Sequence, residues 1–184
     1  AVVCAALGNK GGLNLVVTYE AFAPKMLGAV RQELIFARHL AHAGRPPGWL
    51  GVPLVLTSHT WENAKNEQSH QDPTMAEALL GEMADISRVV FPPDANGAAA
   101  ALAHAYAQRG TVTTLVVPKR AVPHELTPDQ AQALAAAGAL CLAGDPATAA
   151  ILLVATGAYQ LQEVRRAQTH LVERGVSAAI LYLG

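Results

Sequence analysis

The sequence predicts an α/β fold, a doubly wound, mostly parallel sheet with helices on both faces. Three observations carry this expectation. Short runs such as Leu13 to Thr18, Val52 to Thr57 and Thr111 to Val117 are mostly apolar and rich in β-branched residues, as strands covered on both faces are. Longer helix-like stretches separate them, and Pro or Gly clusters mark the junctions. Strands alternating with helices build parallel sheets.

In chain order, Gly11-Gly12 precedes the β-branched-rich strand Leu13 to Thr18, and a helix-like stretch, Ala21 to Ala43, follows it. Pro46 and Pro47 break that helix before the second strand, Val52 to Thr57. The polar stretch from Ser58 to Pro73 is long for a connection, and such loops are disproportionately functional. Met75 to Met83 reads as a helix and Arg88 to Phe91 as a short strand ending at Pro92-Pro93. Asp94 or Asn96 then caps the Ala-rich helix Ala98 to Gln108, which Gly110 stops. After the strand Thr111 to Val117, Thr127-Pro128-Asp129-Gln130 has the form of a capping box, opening a helix that ends near Gly138. A fresh βαβ unit starts beyond the Gly144-Asp145-Pro146 turn: strand Ala150 to Ala155, helix Tyr159 to Glu173, strand Val176 to Leu183. A domain boundary is expected there, with 1–143 as one domain and 144–184 as the beginning of a second.

A chain of 184 residues suits one α/β domain with part of another. With a formal net charge of -1 and only 15% charged residues, no global field draws nucleic acid or an anionic membrane, so any anion specificity is local. Cys4 and Cys141 lie far apart without metal-ligand spacing and read as two buried thiols of a reducing compartment. The apolar opening, Ala1 to Leu7, is short and lacks a basic leader, which points to a cytoplasmic protein. A first residue Ala1, and an apolar run that halts at Gly184, predict a fragment of a longer chain.

Four places invite chemistry. Gly8-Asn9-Lys10-Gly11-Gly12 looks like a phosphate loop, but it enters a strand rather than leaving one, so a plain turn fits better. Glu20 stands where a buried strand turns into a helix; a first-turn glutamate can simply complement the helix dipole, and one in an apolar setting can also exchange a proton with a ligand nitrogen. His59, Trp61 and His70 crowd the C-terminal end of the second strand, the usual ligand edge of an open α/β sheet. Their spacing does not support zinc, and a structural role for either histidine stands beside the catalytic one. Lys119 and Arg120 follow the strand Thr111 to Val117 and read either as a solvated pair or as a local phosphate site.

Taken together, Thr18-Tyr19-Glu20-Ala21-Phe22, Thr57-Ser58-His59-Thr60-Trp61, Asn66, Ser69-His70-Gln71-Asp72-Pro73, Pro92-Pro93-Asp94-Ala95-Asn96 and Lys119 resemble, in that order, the middle of bacterial phosphoketolases. The resemblance covers most of residues 13 to 130 and implies a pyrimidine-type thiamine-diphosphate-binding domain followed by the start of the family's C-terminal domain. It implies cleavage of xylulose 5-phosphate or fructose 6-phosphate with inorganic phosphate, giving acetyl phosphate and an aldose phosphate, with thiamine diphosphate and Mg²⁺. Glu20 is then the glutamate that hydrogen-bonds the aminopyrimidine, with Tyr19 and Phe22 beside it at the cofactor. His70 is an active-site proton carrier, and His59, Lys65, Asn66 and Lys119 hold the sugar phosphate or the incoming phosphate. The metal and the diphosphate belong mainly to a preceding domain absent from this chain, so the chain alone is expected to be inactive and the full-length protein a homodimer.

Between Trp61 and His70 the chain departs from the family pattern. Glu62, Lys65 and Glu67-Gln68 stand where the family has an arginine, a histidine before Asn66 and a Gly-Phe pair after it. The added negative charge implies a divergent subgroup with altered substrate preference. A transketolase-like carbon transferase and a non-catalytic α/β binding module are the competing readings.

Overall fold

The computed structural model describes residues 13–46, 51–57 and 72–184. Two compact units emerge: residues 1–90 with 102–120, and residues 91–101 with 121–184.

The described part of the first unit is organised on a four-stranded sheet. Its strands are β1 (Val16–Tyr19), β2 (Val52–Thr57), β3 (Ser87–Val90) and β4 (Val112–Val116), in the order β1-β2-β4-β3 with every pairing parallel. The central strands β2 and β4 are almost wholly buried, and their sequences are accordingly apolar or β-branched. Two helices follow strands of this sheet, α1 (Leu27–His42) after β1 and α2 (Thr74–Leu80) after β2; α3 (Ala95–Ala107) follows β3, and the division between units runs through it. Val30, Leu34 and Ala37 line the buried stripe of α1 at helical spacing. Its outer side is pinned by Arg31, which ion-pairs with Glu82 at 2.5 Å, and by Arg38, which ion-pairs with Asp85.

Between β1 and α1 the chain forms a seven-residue 3-10 helix, Glu20–Met26, rather than beginning the α-helix at once. Pro24 has no N–H to donate, to the Glu20 carbonyl in an α-helix or to the Ala21 carbonyl in a 3-10 helix, so the ladder has a gap here in either winding. The 3-10 winding places residues three apart in one row.

The second unit is built on β5 (Ala139–Ala143), β6 (Ile151–Thr156) and β7 (Ala178–Leu183), in the order β5-β7-β6, with α4 (Pro128–Ala137) and α5 (Ala158–Glu173). The expected βαβ crossover is present: β6 and β7 are parallel and α5 connects them. Thr127 caps α4 as its motif predicts, accepting the Gln130 N–H while the Gln130 side chain accepts the Thr127 N–H. Leu126, Leu134, Leu161, Ile180 and Tyr182 form the core.

Two expectations need correction. The helix–strand alternation breaks at β5, which follows α4 almost directly and pairs antiparallel with β7, with a bulge between Cys141 and Ala143. Cys141 is exposed rather than buried, because it lies on the outer side of that strand while Leu140 and Leu142 pack on the core. Among the described residues no helix is long and apolar enough to cross a membrane.

Candidate functional site

The parallel register brings the C-terminal ends of β1, β2 and β4 to one edge of the first unit's sheet. Tyr19 pairs with Thr57, Leu56 pairs with Val116, and the Val117 N–H donates to the Leu56 carbonyl at 2.9 Å. The segments that leave this edge begin with Glu20 after β1 and with Val117-Pro118-Lys119 after β4. Residues far apart in sequence therefore start from neighbouring strand ends, about 5 Å apart per strand.

Glu20 is 3% exposed, the most buried acidic side chain among the described residues. As first residue of the 3-10 helix it points inward, together with Ala23 three positions on. An ionisable group in such a place needs a strong reason, since burial disfavours charge unless partners compensate. The rings on either side of it face outward: Tyr19 is 39% and Phe22 43% exposed. These two rings meet at a centroid distance of 5.8 Å and an interplanar angle of 59°, within the favoured tilted range.

Two lysines bracket the pair. The Lys119 ammonium lies 4.9 Å from the Tyr19 ring centroid, and the Lys25 ammonium lies 5.5 Å from that of Phe22. The 3-10 winding explains half of this: Tyr19, Phe22 and Lys25 are three apart and so stack in a row. The strand order explains the other half, because only β2 separates β1 from β4 and the Tyr19 ring and Lys119 stem together reach across it. Lys25 was not among the residues the sequence singled out; its spacing from Phe22 was the available signal.

Of the sequence-predicted site residues, Glu20, Tyr19, Phe22 and Lys119 are thus brought to one edge. His59, Lys65, Asn66 and His70 lie outside the described residues, as do Trp61, Glu62, Glu67 and Gln68. Among the described residues no three His, Cys, Asp or Glu side chains are grouped to hold a metal ion.

The Pro92-Pro93-Asp94-Ala95-Asn96 motif belongs to the second unit and does structural work. Asp94 is buried, and its Oδ1 accepts the Gly97 N–H at 2.8 Å, capping α3. Its Oδ2 accepts the N–H groups of Glu125 at 2.7 Å and Leu126 at 2.8 Å, while the Asn96 amide donates to the Leu126 carbonyl at 2.7 Å. Nearby in the same unit, the buried Tyr182 hydroxyl donates to the Phe91 carbonyl and accepts the Gly157 N–H at 2.9 Å. Burial pushes that phenol well above the usual tyrosine range.

Comparison with known proteins places these motifs. The family model described as D-xylulose 5-phosphate/D-fructose 6-phosphate phosphoketolase matches residues 1–108. A probable phosphoketolase of Streptomyces coelicolor is 33% identical over 129 residues, which is 70% of this chain and 16% of that protein. One from Pseudomonas putida is 29% identical over 60% of the chain and 14% of its own length, and probable phosphoketolase 1 of Rhizobium meliloti is 40% identical over 41% of the chain and 10% of its own. The chain therefore spans about a sixth or less of these relatives. Among solved structures, transketolase from Leishmania mexicana superposes with a TM-score of 0.78 at 18% identity, over 99% of this chain and 25% of that one. A split-gene transketolase, described as an inactive beta4 tetramer, gives 0.65 at 16% identity, over 98% of this chain and 52% of that one. Likeness at such identities establishes a shared fold.

Proposed function

Because the chain belongs to the D-xylulose 5-phosphate/D-fructose 6-phosphate phosphoketolase family, we propose that it is the cofactor-activating part of a phosphoketolase. In this reading the full-length protein cleaves a ketose phosphate with inorganic phosphate to acetyl phosphate and an aldose phosphate. It uses thiamine diphosphate and Mg²⁺, acting as an aldehyde-lyase and as a cytoplasmic homodimer. The domain limits 1–143 and 144–184 are retained as part of the same proposal.

One observation carries it: within the family-matched segment, an acid is buried at the C-terminal end of a central parallel sheet, flanked by two outward-facing aromatic rings. That setting suits a flat, neutral aminopyrimidine. A shielded carboxyl group shares a proton with a ring nitrogen more strongly than an exposed one, and apolar rings exclude competing water. Glu20 would hold the proton at the pyrimidine nitrogen, with Tyr19 and Phe22 packing at the cofactor. Bound thiamine diphosphate would supply the carbon nucleophile, and its metal and diphosphate are assigned to a domain outside this chain.

Lys119 provides a point charge at the same edge, the natural counterpart of a phosphate. His59, Lys65 and Asn66 complete the phosphate-binding set in this reading, and His70 carries the proton for loss of water before phosphate attacks. The substitutions at Glu62, Glu67 and Gln68 bear on substrate preference. Loss of activity in an isolated piece is supported by analogy with the split-gene transketolase described as inactive.

A second reading, suggested by the fold shared with transketolases, is a transketolase-like carbon transferase in which phosphate is not the acceptor. The deciding measurement is acetyl phosphate formed from a ketose phosphate by the full-length protein with its cofactors. Product that requires inorganic phosphate supports the phosphoketolase; turnover indifferent to phosphate sinks it in favour of the transferase.

A further inference from the structure

We infer that Tyr19 is the positioning residue of Lys119: its ring holds the lysine ammonium at the sheet edge, where the ammonium meets a phosphate group. The inference rests on the phosphate-site reading of Lys119 above and adds to it the element that makes the site rigid.

The starting point is the chemistry of lysine. Its ammonium is a compact charge on a four-carbon stem with many rotamers, and an exposed one must be ordered each time an anion binds. Lys119 is exposed and follows the last residues of β4. The Tyr19 ring lies against its ammonium. At 4.9 Å from the ring centroid, the ammonium sits within the range where the electron-rich face attracts a cation.

The ring is in turn braced. Tyr19 ends β1 with extended backbone, φ -72° and ψ 147°, so strand pairing with Thr57 sets where its side chain starts. The tilted Phe22 ring lies 5.8 Å from it, and Phe22 has the Lys25 ammonium at 5.5 Å. The repeat of three residues per turn keeps these groups in one line. The order along the edge is therefore Lys119, Tyr19, Phe22, Lys25, with the cation nearer to β4 held against the ring that ends β1. A cation ordered before the anion arrives binds it more tightly, because less freedom is lost on binding.

The ligand chemistry is a phosphate group, carried either by inorganic phosphate or by the ketose phosphate. An exposed cation–π contact corresponds to a change of about two- to five-fold in affinity.

The experiment uses the full-length protein, with its lysines reductively methylated so that the charge is retained and the Lys119 signal can be followed by NMR. Wild type is compared with Tyr19→Leu, Tyr19→Phe and Lys119→Met, the last assigning the signal. The ring current should displace the Lys119 signal upfield in wild type and Tyr19→Phe, and the displacement should vanish in Tyr19→Leu. Titration with inorganic phosphate, and separately with a ketose phosphate, should move the same signal, with a midpoint raised about two- to five-fold in Tyr19→Leu and restored in Tyr19→Phe. Whichever titrant shows the raised midpoint is the one Lys119 serves. A Lys119 signal without the ring-current displacement in wild type overturns the inference, as does a midpoint equal in wild type and Tyr19→Leu, or one that Tyr19→Phe leaves raised. A displaced signal that neither titrant moves in any of the proteins instead removes the phosphate-site reading on which the inference rests, and the inference with it.

Discussion

Asp94 Oδ2 accepts the Leu126 backbone N–H at 2.8 Å, so one buried carboxylate joins the start of α3 to the turn that precedes α4. The same side chain accepts the N–H groups of Gly97 and Glu125. Replacing it with alanine removes a helix cap and leaves three backbone donors without their acceptor. Asp94→Ala should therefore cost about 2–4 kcal/mol. Thermal unfolding should show a midpoint lowered by roughly 5–15 °C. Asp94→Asn keeps an acceptor oxygen and should fall between the two. A variant that melts with wild type would show that the motif serves something other than folding.

Tyr182 presents a second buried polar link, from its hydroxyl to the Phe91 carbonyl and the Gly157 N–H. Tyr182→Phe keeps the ring and strands both backbone groups, at a cost of about 1–3 kcal/mol. The same hydroxyl gives a pH signature. Burial raises its folded-state value above the unfolded one, near 10.0, so its contribution to stability is complete below that pH and is lost as pH climbs beyond it. Urea unfolding between pH 8 and about 11 should show wild type losing stability at the alkaline end, more steeply than Tyr182→Phe. Tyr106, also shifted upward by burial, contributes a smaller slope common to both proteins.

Which parts of this were legible in the sequence follows from the range of the forces involved. β2 and β4 could be read because strands buried on both faces are rich in apolar and β-branched residues, and α4 because Thr127 and Gln130 cap it locally. β5 escaped notice. Ala139–Ala143 has no β-branched residue and follows Gly138 directly, so only its pairing with β7 makes it a strand. The 3-10 segment was hidden for a related reason: Glu20–Met26 has no local pattern that separates it from the α-helix that follows. Glu20 could be singled out because its strand–helix junction is local. The Lys119–Tyr19 contact could not, since it requires the order β1-β2-β4, a property of the assembled sheet.

Gly51 tests that assembly directly. A Cβ there would lie 2.0 Å from the Ala105 carbonyl oxygen, a backbone atom that cannot swing aside. Its N–H also donates to the Gln108 carbonyl at 2.9 Å, so β2 enters the sheet tight against the end of α3. Gly51→Ala should cost about 2 kcal/mol or more and lower the unfolding midpoint. Gly28, in the first turn of α1, has open space around it. There Gly28→Ala should be neutral or stabilise by up to about 1 kcal/mol. Urea titration of the two variants side by side reads the difference; equal effects would mean that the close approach at Gly51 is relieved by movement of α3.

Glu20→Gln separates the chemistry from the fold. The amide matches the carboxyl in shape, so packing around the buried side chain should survive and stability should change by about 1 kcal/mol or less. What the amide lacks is an ionisable proton to exchange with a ring nitrogen. If Glu20 holds that proton in the proposed phosphoketolase, the full-length variant should fold, give an unchanged circular dichroism spectrum and lose at least about 100-fold in acetyl phosphate formation. Glu20→Asp would keep the acid but withdraw it by one methylene, and misplacement on that scale also costs about 100-fold. A purely structural glutamate predicts the reverse ranking, with stability falling and turnover per folded molecule unchanged. Turnover normalised to the folded fraction, measured for both variants, therefore decides between the two.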